Sequence, residues 1–121
     1  MSYHFKIEEH PKYLHASASG NNTAENVLRF LRESYEACMK KQVTSILLEM
    51  QFEGPALDTG SIYSVIAQRS DSGKQLGKIA YVAQPEREVS RAKFAETVAI
   101  NRGVNVRLFP DVGAAKKWLE E

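Results

Sequence analysis

Residues 45–50 read Ser-Ile-Leu-Leu-Glu-Met, and this short, mostly apolar run decides the fold. It is too short for a stable helix. A continuous apolar stretch of this length is the pattern of a strand covered on both faces, as in a parallel sheet. Residues 78–83, Lys-Ile-Ala-Tyr-Val-Ala, repeat the pattern and are closed by Pro85. Residues 104–109, Val-Asn-Val-Arg-Leu-Phe, supply a third such strand.

Helical patterns lie between these runs. Ala24, Val27, Leu28, Leu31, Tyr35 and Cys38 recur at helical spacing. Asn22 or Thr23 is placed to cap this helix, and basic residues near Lys41 suit its negative end. From Thr59 a second helix carries Ile62, Val65, Ile66 and Arg69 on one stripe, until Ser-Asp-Ser-Gly at 70–73 interrupts it. A third carries Val89, Ala92, Phe94, Ala95, Val98 and Ala99, and Gly103 is its natural left-handed cap. Asp111 caps a last helix bearing Val112, Ala115, Trp118 and Leu119. Strands joined through helices imply right-handed crossovers and parallel pairing.

Upstream, Tyr3, Phe5 and Ile7 alternate with His4, Lys6 and Glu8. After a turn at His10, Pro11 and Lys12, Leu14, Ala16 and Ala18 alternate with His15, Ser17 and Ser19. Period two on both sides of a proline turn predicts an antiparallel hairpin. The predicted fold is therefore α/β: a mixed, mostly parallel sheet with an N-terminal antiparallel hairpin and about four helices, in the order ββαβαβαβα.

The 121 residues suit a single domain over 1–121. Basic and acidic residues nearly cancel, 16 against 15, which argues against a nucleic-acid binder, whose affinity rests on a basic excess. A single cysteine, Cys38, excludes an intrachain disulfide. No signal-like or membrane-spanning apolar run occurs, so a cytoplasmic protein without stable membrane insertion is expected.

The candidate chemistry is sparse. Gly54 to Gly60 resembles a phosphate loop, but five residues separate the glycines and no lysine follows. The same segment leaves a buried strand and enters a helix at the carboxyl edge of the sheet, where open α/β sheets place ligands. Asp58, Thr59, Gly60 and Ser61 are thus a candidate anion or phosphoacceptor site, with Asp58 or Thr59 as a plain helix cap the simpler reading. Cys38, on the apolar stripe, reads as a structural thiol. His4, His10 and His15 show no standard metal-ligand spacing, and neither metal nor cofactor is expected. Glu49 and Glu53 read as solvated carboxylates at a strand rim. Lys116 and Lys117, and Arg87 with Arg91, read as solvated helix faces.

The chain resembles the STAS domain (sulfate transporter and anti-sigma factor antagonist), in particular its SpoIIAA-like branch, a fold also compared with lipid-binding domains. The resemblance rests on the element order and on Ile46 to Phe52 followed by Asp58, Thr59 and Gly60. It also rests on the tail from Phe94 through Gly103 and Phe109 to Trp118 and Leu119. In antagonist members a serine or threonine at this helix entrance is phosphorylated, which controls docking of a protein partner. The resemblance would make Asp58 the matching acidic residue and Thr59 or Ser61 the acceptor.

Together these features point to a non-catalytic binding or regulatory domain, with no enzyme activity. Its contact surface would be the loop and helix at 51–66, with Phe52 and Tyr63 as exposed anchors for an unknown protein partner. The alternative is a carrier of a small apolar molecule or lipid, held between the sheet and the second or third helix, where Ala92, Ala95 and Ala99 leave space. The first and last helices also offer surfaces for a homodimer.

Overall fold

The computed structural model describes residues 3–83 and 89–121. Pro85 and Arg87 therefore lie outside the described residues. The elements are β1 (Tyr3–Glu9), β2 (Leu14–Asn21), α1 (Ala24–Lys41), β3 (Ile46–Glu53), α2 (Thr59–Gly73), β4 (Ile79–Ala83), α3 (Val89–Asn101), β5 (Val106–Leu108) and α4 (Val112–Glu120). The ββαβαβαβα order matches the sequence reading.

The five strands lie in the order β1-β2-β3-β4-β5, with β1 antiparallel to β2 and the rest parallel. Strand order follows chain order. Three right-handed crossovers stepping the same way must put α1, α2 and α3 on one face of the sheet. Among the described residues, α4, which follows the last strand, covers the other face, where it packs on β3 and β4.

The core is correspondingly split. On the three-helix side, Leu14, Ala16, Ala18, Ile46, Leu48 and Phe52 from the strands meet Val27, Phe30, Cys38, Val65 and Ala99 from the helices. On the α4 side a smaller cluster joins Tyr13, Leu47, Ala80 and Val82 to Ala115 and Leu119. Thr23 caps α1 by accepting from the Asn26 N–H, Asp58 caps α2 and Asp111 caps α4. Gly103 holds φ at 89°, where a Cβ would be strained.

Two boundaries differ from the sequence reading. β3 continues through Phe52 to Glu53, where a loop was expected from Gln51. The alternation of Ile46, Leu48, Met50 and Phe52 against Leu47, Glu49, Gln51 and Glu53 carries the strand past Met50. Further on, Ser70 to Gly73 does not interrupt α2. The buried Ser70 hydroxyl donates to the Ala67 carbonyl and accepts from the Arg102 guanidinium, so it needs no break in the helix. Gly73 fits because a Cβ there would stand 3.3 Å from Val104 side-chain carbons.

Candidate functional site

A cavity of about 210 Å³ lies between the sheet and α1, α2 and α3. Its floor comes from Leu48, Ile79 and Val106, and its walls from Leu31, Ile66 and Ala95. The small side chains of Ala92, Ala95 and Ala99 line it from α3, as the carrier reading expects. Ser34 breaks the apolar lining. It is 3% exposed, and its hydroxyl finds no hydrogen-bond partner among the described residues. Tyr81 also borders the space, and burial pushes its phenol up to about 12. Leaving a buried hydroxyl unpaired costs roughly 1–3 kcal/mol.

The segment after β3 forms the rim. Asn22, Gly54, Ala56, Leu57 and Arg91 all border the cavity there. The loop is tied from both sides: the Asn22 amide donates to the Pro55 carbonyl at 3.0 Å, and Arg91 Nε donates to the Leu57 carbonyl at 2.8 Å. Arg91 is exposed on α3, as the sequence reading has it, and it also straps that helix to the loop. Gly54, at φ 115°, makes the turn out of β3.

At the entrance of α2, Asp58 Oδ1 accepts the Ser61 backbone N–H at 2.7 Å. That bond, followed by further contacts to Ser61, holds the Asp58 carboxyl below its ordinary range. The cap is thus the role that the geometry gives Asp58. Thr59 and Gly60 are exposed beside it, and Ser61 is half-buried.

The expected pair of exposed anchors separates. Tyr63 is 50% exposed, whereas Phe52 is 5% exposed. Phe52 shares the strand face of Ile46 and Leu48, stacks with Tyr3 and meets Phe30 edge-on, so its ring belongs to the core. It is not an exposed contact residue.

The remaining candidates fall on different faces. Cys38 is fully buried in the three-helix cluster, and burial alone raises its thiol to about 11. Its raised value means that the folded state holds the proton more tightly. That contribution is intact below the unfolded value near 9 and is lost as pH rises toward 11. The native protein should resist iodoacetamide at pH 8 and react only once unfolded. Labelling of the folded chain at the rate of a free thiol would contradict this burial.

His15 lies on the opposite face of the sheet, away from Cys38, so the two form no nucleophile pair. Glu49 is not the solvated rim carboxylate that the sequence suggested. Its side chain is 15% exposed, and its Oε1 lies 2.8 Å from His15 Nε2. This contact spans 34 positions and depends on the parallel register of β2 with β3, so no local spacing announces it. Glu53, by contrast, is exposed.

No helix among the described residues is long and apolar enough to cross a membrane. No protein-family model and no curated protein matches the chain. Solved structures do. An anti-sigma factor antagonist from Mycobacterium paratuberculosis aligns with a TM-score of 0.65 at 17% identity, over 99% of this chain and 96% of that one. An uncharacterised protein with a SpoIIAA-like fold from Shewanella loihica PV-4 aligns with a TM-score of 0.53 at 18% identity, over 97% of this chain and 93% of that one. With its sequential mixed sheet and its helices three to one across the faces, the chain has the SpoIIAA-like α/β fold.

Proposed function

We propose that this is a non-catalytic binding domain that takes up a small, mostly apolar molecule in the cavity beneath the 51–66 segment. The cavity itself carries the reading. An empty apolar space of about 150 Å³ accepts benzene, so 210 Å³ has room for a short acyl chain or a substituted ring. The unpaired Ser34 hydroxyl supports a ligand that also brings one hydrogen-bonding group. The rim loop, pinned by Asn22 and Arg91, borders the mouth of this space.

The test is octanoic acid and octanol against the purified protein. A ligand at a hundred times its dissociation constant adds about 2.7 kcal/mol to stability, a shift of several degrees in Tm. Native mass spectrometry of protein taken directly from cells should show an added mass that denaturation releases. Absence of both the shift and the added mass would defeat the reading.

A protein-recognition role on the same edge is supported by the exposed ring of Tyr63 and by the likeness to an anti-sigma factor antagonist. Thr59 and Ser61 flank this surface, and a phosphoryl group on either would sit at the positive end of α2. Tyr63→Ala should leave stability within about 0.5 kcal/mol while weakening any captured protein partner. Capture unchanged by this substitution would move the contact surface elsewhere.

A further inference from the structure

The opening hairpin brings His15 beside Glu8 and His10, which lie two residues apart in the chain. Glu8 and His15 face each other directly across β1 and β2. Alternation puts both on the sheet face away from α1, α2 and α3. His10 stands in the connecting turn, where its backbone N–H donates to the Tyr13 carbonyl and its ring stacks on Tyr13 at 4.6 Å. Glu8 Oε1 is 3.4 Å from His10 Nε2 and 3.9 Å from His15 Nδ1. The three side chains offer ligand atoms that all lie within 4.8 Å of one another.

The lone pairs converge as well. A carboxylate can only accept, so the 2.8 Å contact with Glu49 assigns the proton of a neutral His15 ring to Nε2. His15 Nδ1 then carries a lone pair and points toward Glu8. Both His15 Nδ1 and His10 Nε2 are buried without a hydrogen-bond partner among the described residues. An anionic oxygen and two ring nitrogens thus surround a point that calls for a cation. Tetrahedral coordination with bonds near 2.0–2.1 Å requires donor atoms roughly 3.3 Å apart. Side-chain shifts of no more than roughly 1.5 Å would close the set onto an ion.

We propose that Glu8, His10 and His15 bind a divalent transition-metal ion of the zinc class, with Glu49 orienting the His15 ring from behind. Two imidazoles and one carboxylate are a donor set suited to such ions, and three protein ligands leave a fourth position for water or another donor. The Glu49 contact is the outer-shell partner that a metal-binding histidine usually has. The site is separated from the cavity by the sheet and stands independently of the proposed uptake of an apolar ligand. Histidine spacing alone does not reveal it. Hairpin pairing brings His15 to Glu8 and His10, and the orienting Glu49 stands 34 positions from His15.

Tag-free protein stripped with a chelator and titrated with zinc chloride against a chromophoric competitor should bind one equivalent and gain thermal stability. Cobalt(II) in its place should give the visible absorption of a tetrahedral ion. Glu8→Gln and His10→Ala change partly exposed side chains and should each weaken zinc binding tenfold or more. Glu49→Gln should weaken it about tenfold through the outer shell. Lack of stoichiometric binding by the unaltered protein would overturn the proposal. So would binding that survives the combined Glu8→Gln and His10→Ala change, because the ion would then sit elsewhere.

Discussion

Replacing Phe30 by alanine is expected to cost about 4 kcal/mol, the largest loss of any single change considered for this fold. Phe30 is fully buried on α1. Its ring meets Phe5 from β1 edge-on at 6.0 Å and Phe52 from β3 edge-on at 6.3 Å, so one side chain joins the helix to both an outer and a central strand. Phe52 in turn stacks on Tyr3, over whose ring the Arg29 guanidinium lies at 4.3 Å. Truncation would remove the transfer energy of the ring and leave a hole that three separate elements would have to move to fill. A domain of this size has roughly 5–15 kcal/mol of stability in all. At about 4 °C per kcal/mol, Tm should fall by about 15 °C. Denaturant unfolding checks the magnitude. Met39→Ala, on the outer side of the same helix and 40% exposed, should change stability by less than about 0.5 kcal/mol. A loss below about 1 kcal/mol for Phe30→Ala, well under the usual range for such changes, would mean that the aromatic cluster is not the keystone of this layer.

The aromatic core shows where sequence reading stops: the stripe expected for α1 runs through Leu31 and Tyr35 and omits Phe30, which is fully buried. Alternation in β1 and β2, helical spacing in α1, and the caps at Thr23, Asp58, Asp111 and Gly103 are local signals, and each is where the residues imply it. Gly54 and Pro55 are strong turn residues and imply an earlier end to the strand, which would leave Phe52 on the surface. The two-residue phase from Ile46 was present and carried more weight than the turn. Tertiary partners were not legible in the same way. Glu49 looks like a rim carboxylate until the register of β2 with β3 brings it to His15. Arg91 is the exposed charge that the sequence suggests, but its bond to the Leu57 carbonyl depends on α3 lying beside the loop. The small residues of α3 were visible, but whether they allow close packing or leave a void depends on how far α3 stands from the sheet.

That void makes the second large effect. Ala95→Phe, set in the wall of the cavity, is expected to abolish stabilisation by octanoic acid or octanol while leaving the domain folded. Ala95 is only half-buried and borders the open space, so a larger side chain has room to lie within it. Filling a cavity commonly adds about 0.5–2 kcal/mol, whereas forcing bulk into a packed core costs about 1–3 kcal/mol. The sign of the change in unliganded stability therefore reports independently whether space exists. A more stable variant that no longer responds to ligand fits uptake into this cavity. An equally folded variant that still gains several degrees with octanoic acid would place the ligand elsewhere, whatever the affinity. Ser34→Ala separates the polar contribution from the apolar one. Removing an unpaired buried hydroxyl should leave the free protein as stable or more so, yet weaken octanol, which can pair with it, more than a hydrocarbon of the same length. Equal weakening of both would show that Ser34 shapes the wall without bonding to what it encloses.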